Sequence, residues 1–258
     1  MRIASLSPAT TEILFGLGIG LGKRHQIVCT DQFSNYPDAA KALPHLRDHV
    51  KVDIEELRKF QPEIIFTSTV IQEGLSRQLK MAGLPVIHQD PRTIDQIYEA
   101  TRQIGMLLGL EQEARAVILK MQQGFNDVKR KAGAMRGRGA PPARLYIEEW
   151  HDPPYASGNW VPEVARIAGA EQFPIAAGAV SPIVTLEEVQ RWNPDMIVIS
   201  WCGAGSLASK EVFLKRPGWE ALAKNNVRVI DDSLLNRPGP RLVEGAQRLY
   251  GWVFEMLH

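Results

Sequence analysis

Side chains able to do chemistry are sparse in this 258-residue chain, which carries six histidines and two cysteines. His45 and His49 stand i, i+4 with Asp48 between them, a spacing that grips a metal ion when one helix face carries it. His88 and His151 would supply ligands from elsewhere. Pro44 and the run Val50-Lys51-Val52 argue against a helix there, so no metal ligands are assigned and a metal-ion-binding protein is the third reading. Nucleophilic catalysis has less behind it. There is no G-x-S-x-G elbow, no P-loop lysine and no catalytic cysteine motif, and Gly203-Ala-Gly-Ser206 has no motif-paired histidine or carboxylate. The glycines at 16, 18, 20 and 22 imitate a phosphate loop but follow a predicted helix, so they read as its C-cap and turn. Cys29 and Cys202 accompany predicted strands in different halves and read as two buried thiols, not a disulfide. The chain reads as a non-enzyme that requires no cofactor.

What remains is binding chemistry. The stretch Glu148-Glu-Trp-His-Asp-Pro-Pro-Tyr-Ala-Ser-Gly-Asn-Trp160 puts three aromatics, a histidine and two prolines into one predicted loop. Such a loop makes a stiff wall for a large, flat, partly apolar ligand. Pro153-Pro154 would hold Tyr155 outward, while Trp150 and Trp160 either face the ligand or pack the loop onto its lobe.

The elements that position these residues come from a repeat. Val52-Asp-Ile-Glu-Glu-Leu-Arg-Lys-Phe-Gln-Pro-Glu-Ile-Ile-Phe-Thr-Ser-Thr69 aligns without a gap on Val184-Thr-Leu-Glu-Glu-Val-Gln-Arg-Trp-Asn-Pro-Asp-Met-Ile-Val-Ile-Ser-Trp201. In each, Asp53 or Thr185 can N-cap a short helix and Glu56 or Glu188 can close a capping box. Val52 with Leu57, and Val184 with Val189, occupy staple positions; Pro62 and Pro194 stop the helix before a buried strand. A unit repeated at half the chain length implies two similar lobes.

Strands are expected at Arg2–Leu6, Gln26–Thr30, Ile64–Thr67 and Leu84–His88, then at Arg144–Glu148 and Val227–Ile230. Helices are expected after Ser7-Pro8 and at 75–82, 94–108, 160–167, 210–214 and 241–257. Alternation of this kind predicts an α/β fold of two Rossmann-like, parallel-sheet lobes. Glu111–Ala132 has helical apolar spacing and no proline; it predicts one long rigid helix, about 33 Å, joining the lobes. Gly133–Pro142 reads as a connector, and Lys129, Arg130, Lys131, Arg136 and Arg138 as a solvated helix end. The expected domains are an N-terminal lobe at 1–110, the helix and connector at 111–142, and a C-terminal lobe at 143–258.

Ligands of open α/β sheets bind beyond the carboxyl ends of the strands, here in a cleft expected between the lobes. The candidates are therefore Ser7, Thr10, Asp31, Phe33, Ser68, Thr69, His88 and Gln89 in the first lobe. In the second they are Glu149, Trp150, His151, Tyr155, Trp160, Trp201, Asn236 and Arg237.

A net charge of +1 gives no reason to expect nucleic acid or an anionic membrane surface as partner. No apolar run is long enough to span a membrane. Met1–Leu6 runs straight into a strand and leaves no room for a leader, so either the chain works in the cytoplasm or a leader has been removed.

The opening Arg2-Ile-Ala-Ser-Leu-Ser-Pro-Ala-Thr-Thr-Glu12, the loop Ser34-Asn-Tyr-Pro37, both repeat units and Asn236-Arg-Pro-Gly-Pro-Arg241 together resemble the helical-backbone (class III) substrate-binding proteins of ABC importers for iron–siderophores, haem and cobalamin. The resemblance covers nearly the whole chain. It implies a periplasmic or other extracytoplasmic monomer that captures a corrinoid (cobalamin) or similar large metal-chelate and delivers it to an ABC permease dimer. Asp152-Pro-Pro-Tyr-Ala-Ser-Gly158 resembles the cobalamin-binding members most. Carried over, Phe33, Ser68, Tyr155, Ser181 and Arg237 fall at corrin-contacting positions. Two of those positions are usually tryptophan there and are serine here, with Trp150, Trp160 and Trp201 at neighbouring positions. The resemblance also implies that Glu55 and Glu187 dock onto permease arginines. A cytosolic corrinoid- or metal-chelate-handling protein, or an enzyme using the same cleft, is the alternative.

Overall fold

The computed structural model describes residues 1–20, 24–136, 141–222 and 226–257; of these, the side chains of Arg136 and Ser206 are left aside. Gly22 of the glycine series, and Arg138 with the central part of the expected connector, lie outside the described residues. Contacts divide the chain into one unit of Met1–Pro91 with Asp95–Lys120 and another of Arg92–Ile94 with the chain from Met121 onward.

The first unit runs β1 (Arg2–Ser5), α1 (Pro8–Gly16), β2 (Gln26–Asp31), β3 (His45–Leu46), α2 (Ile54–Lys59), β4 (Ile64–Ser68), α3 (Glu73–Met81), β5 (Val86–Gln89) and α4 (Ile94–Leu108), then enters α5 (Glu111–Arg136). Its five strands lie in the order β3-β2-β1-β4-β5, all parallel. Strand alternation supplies a core on each face. Ile3, Ile27, Ile64 and Phe66 meet Ile13, Leu14, Ile104 and Ala114 on one side. Ala4, Val28, Cys29 and Ile65 meet Leu57, Leu75 and Leu79 on the other. Each fully buried aliphatic or phenyl side chain contributes about 1.5–3 kcal/mol, so two-sided burial is what makes this short-stranded sheet hold.

The second unit runs β6 (Ala143–His151), β7 (Pro154–Ala156), α6 (Val161–Ile167), β8 (Ala170–Gln172), α7 (Leu186–Trp192), β9 (Met196–Ile199), α8 (Lys210–Leu214), β10 (Asn226–Val229) and α9 (Leu242–Leu257). β10, β9 and β6 are parallel neighbours. The far edge of β6 is shared: its first residues pair with β8 in parallel, and its last pair with β7 in an antiparallel hairpin. Tyr146, Ile197, Ile199 and Trp201 form one core face with Val189, Phe213 and Trp219.

α5 is a single helix of 26 residues that belongs to both units. Ala114 and Val117 lie in the first core, whereas a side chain added at Gly124 would meet Val243 and one at Gly169 would meet Ala132. The helix continues through Gly133 to Arg136, four residues into the expected connector. Among the described residues, no helix is long and apolar enough to cross a membrane.

The repeat units fold alike, with one difference. Thr185 and Glu188 form a full capping box: Glu188 N donates to Thr185 Oγ1 at 3.2 Å and Thr185 N to Glu188 Oε2 at 2.7 Å. Asp53 instead caps α2 alone, accepting from Glu55 N and Glu56 N at 2.9 and 3.2 Å. The helices are stopped by equivalent left-handed residues, Gln61 (φ 47°) and Asn193 (φ 51°), one position before each proline. Leu57 and Val189 are fully buried. At α1, Ser7 holds the N-cap position without a side-chain bond; its carbonyl instead accepts from Thr11 N and Oγ1.

Candidate functional site

At the carboxyl ends of β1 and β2, a buried polar chain shapes the loop that carries Phe33. Asp31 accepts from Phe33 N at 2.7 Å and from Ser34 Oγ at 2.6 Å. Ser34 Oγ meets Thr11 Oγ1, which meets Ser5 Oγ, each at 2.8 Å. Burial raises the Asp31 carboxyl above its ordinary range, against the bonds from Ser34 and Phe33. Ser7 and Thr10 are buried beside this chain in sequence. Phe33 is half-buried and meets His49 edge-on at 4.9 Å.

Gln72 does the equivalent work at the end of β4. It accepts from Ser68 N at 2.7 Å and donates to Leu6 O and His49 O at 2.5 and 2.7 Å, tying three loops together. Ser68 is buried; Thr69, in left-handed backbone at φ 65°, is half-buried, and Val70 and Ile71 after it are exposed. His88 Nδ1 meets Thr67 Oγ1 at 3.0 Å, and burial lowers its pKa. Gln89 turns inward to donate to Ala100 O at 3.0 Å.

In the second unit the expected loop is a hairpin. Residues 149–151 continue β6, and Trp150 pairs with Tyr155 across the turn. The two prolines sit at the turn and at the start of edge strand β7, where no ladder donor is needed, so they do not interrupt pairing. Beneath the hairpin lies Glu148, with no exposed surface. It accepts from Tyr146 OH and Trp201 Nε1 at 2.8 Å each and pairs with Arg216 Nη2 at 2.9 Å. Arg216 lies 3.9 Å over the Trp219 ring and 4.4 Å over Phe213. Burial pushes the Glu148 carboxyl up, opposed by Arg216 and then by the Tyr146 and Trp201 donors. Glu149 is also raised by burial, with Ser181 Oγ donating to it and accepting from Gly158 N.

Trp160 and Trp201 are core side chains here, 4% and 1% exposed, and Trp160 Nε1 is consumed by Leu235 O at 2.7 Å. Trp150, His151, Tyr155, Ser181, Asn236 and Arg237 are half-buried. Asn236 Nδ2 donates to Ser200 O at 2.6 Å, fixing the loop that presents Arg237. Val180 and Ile183, flanking Ser181, are 47% and 59% exposed. Gln72 and Arg216 were not foreseen from sequence; a lone glutamine or arginine carries no pattern that tells of its partners.

The metal spacing does not materialise. His45 lies in β3, paired with Thr30, so it shares no helix face with His49. No group of three or more metal-ligating side chains exists among the described residues. Both cysteines are free; Cys29 is buried as expected, but Cys202 is exposed because it follows the end of β9 into a turn.

The sequence pattern of the "periplasmic binding protein" family matches residues 3–234. The chain belongs to this family. Its relatives include a vitamin B12-binding protein of Pectobacterium atrosepticum, 23% identical across 99% of this chain and 89% of the relative. An uncharacterized ABC transporter substrate-binding lipoprotein of Bacillus subtilis, YvrC, is 27% identical across 96% and 78%. Among solved structures, the periplasmic heme-binding protein BhuT in complex with two hemes superposes with a TM-score of 0.84 at 23% identity, covering 100% of this chain and 99% of that one. Family membership makes this a binding protein whose relatives work outside the cytoplasm. The fold is the α/β architecture of two similar, mainly parallel sheets joined through one helix.

Proposed function

We propose that this periplasmic binding protein serves an ABC-type importer and captures a corrinoid, cobalamin in the first instance, or a similar large metal-chelate. The observation that carries the reading is the hairpin, on which Trp150 and Tyr155 stand directly opposed just past the buried Glu148–Arg216 pair. Half-buried rings on a paired, anchored backbone offer flat apolar area at little ordering cost, which a macrocycle needs and a small polar solute does not. Of the other expected contacts, Ser181 and Arg237 lie in loops of the second unit and are half-buried; in the first unit Phe33 and Thr69 are half-buried and Ser68 is buried. Trp201 supports this surface from within, through Glu148 and the His151 ring.

The protein acts as an extracytoplasmic monomer that docks on a permease dimer. Glu55 and Glu187 are exposed, in the first turns of the equivalent helices α2 and α7, and Glu56 and Glu188 are the residues beside them. The vitamin B12-binding relative and the heme-bound neighbour support the ligand class without choosing within it. Visible absorbance of the protein purified from its native host tests the reading. A corrinoid or porphyrin spectrum is expected, and a colourless protein that takes up neither on incubation would refute it.

A further inference from the structure

Residues 178–184 run alongside the hairpin of the second unit and are laced to it. Asn159 N donates to Ala179 O at 2.6 Å, Ala156 N to Pro182 O at 3.1 Å, and Val184 N to Pro154 O at 2.9 Å. Ile183 thereby faces Tyr155 in an antiparallel bridge. Tyr155 also opposes Trp150, and directly opposed residues of antiparallel neighbours share a face of the sheet. Trp150, Tyr155 and Ile183 therefore form one row across three chain segments, about 10 Å long at the usual strand spacing. Exposure rises along the row. Trp150 packs against the core, Tyr155 is half-buried, and Ile183 is 59% exposed. Ile183 thus has the most apolar area left to lose.

Ser181, two residues earlier, is used differently. Its Oγ accepts from Gly158 N at 2.9 Å and donates to Glu149 Oε2. A hydroxyl has a single proton to give, and here the Glu149 carboxyl takes it. The backbones are close at this point. A side-chain carbon at Gly158 would come within 2.5 Å of Ala179 O and 2.7 Å of Ser181 N, so only glycine lets the segment lie this near. We infer that Ile183 is a ligand-contact residue and that Ser181 is the clamp that positions it. The inference rests on the reading of the hairpin as a ligand surface and revises one residue of it, since the contact expected of Ser181 passes to Ile183. With its proton committed to Glu149, Ser181 has none for a ligand. Recognition along this row is by apolar area, which the flank of a macrocycle supplies.

The test titrates cyanocobalamin and ferric haem by calorimetry into the wild type, Ile183→Ala, Ser181→Ala and the double variant, following the probe that the wild type binds. Ile183→Ala should weaken that probe roughly 4- to 20-fold, the effect of covering the exposed 59% of an isoleucine. Its melting temperature should move by less than about 2 °C, because so exposed a side chain adds little to folding. Ser181→Ala acts through Ile183. It should weaken the probe in the wild-type background, but by less than about twofold once Ile183 is already alanine. If Ile183→Ala does not fold, Ile183→Thr, which keeps the branched shape at the bridge, is read by the same criteria. An affinity of Ile183→Ala within about twofold of the wild type overturns the inference and leaves the hairpin reading standing. Losses that add in the double variant would mean that Ser181 touches the ligand itself, and they overturn the clamp. Failure of the wild type to bind either probe overturns both readings.

Discussion

Replacing Glu148 by glutamine keeps the volume of a fully buried side chain and removes the charge that Arg216 was folded against. Breaking one partner of a buried ion pair generally costs about 3–5 kcal/mol, because the other charge is left uncompensated. Three features of this pair place the loss near the lower end. The Arg216 side chain is 15% exposed, it keeps His151 O as an acceptor, and its stacking on Trp219 and Phe213 survives. The amide can also accept only one of the two 2.8 Å bonds from Tyr146 and Trp201 without turning its own donor toward the other. A loss of about 3 kcal/mol corresponds to a fall of about 6–12 °C in melting temperature for a domain of this size. Differential scanning calorimetry of the ligand-free protein is the assay. Glu148→Gln with Arg216→Met should recover much of the loss, since an apolar pair of similar volume is often neutral. A fall below about 1 kcal/mol in the single variant, or a double variant worse than the sum of the two singles, would refute the anchoring role assigned to this pair.

Tyr155→Ala removes one face of the hairpin surface, worth about 1–3 kcal/mol. It should weaken cobalamin binding roughly 5- to 150-fold by calorimetry, and an unchanged affinity would remove Tyr155 from the site. Burial holds the Glu149 carboxyl above its ordinary range, so the folded protein keeps that proton to higher pH than the unfolded chain. Its contribution is fullest below the unfolded value and declines as pH rises toward the folded one. In urea denaturation, Glu149→Gln should therefore gain on the wild type as pH rises above the ordinary glutamate value of about 4.3, and a pH-independent difference would contradict this. Glu55→Ala with Glu187→Ala should abolish permease pull-down while ligand affinity holds. The Glu55 carboxylate is 83% exposed and makes only a 3.4 Å surface pair with Arg58, so folding should hardly notice. Docking that survives the double variant, but is lost in Glu56→Ala with Glu188→Ala, would assign the wrong pair.

The repeat was legible because periodicity and capping residues are written locally: Val52, Asp53 and Pro62 need no distant partner to announce a helix and its end. Of the residues that end those helices, Asn193 is a type that tolerates left-handed backbone, whereas Gln61, at φ 47°, carried no such signal. The hairpin was read as a loop because two prolines usually end a strand, yet here they occupy the turn and an edge. Residue type likewise could not separate Trp150 from Trp160 and Trp201. Each indole is large and carries one donor; what divides them is whether that donor meets a buried acceptor such as Leu235 O or Glu148. Such long-range partners cannot be read from neighbours in sequence. The same holds for Gln72, whose three bonds span loops from Leu6 to Ser68.

Isothermal titration of cyanocobalamin into the purified, ligand-free protein tests the central claim most directly. Saturable binding at one site per chain, with a dissociation constant of about 1 μM or tighter, is the expected result. No heat at about 100 μM cobalamin, with ferric haem and a ferric siderophore equally silent, would contradict it.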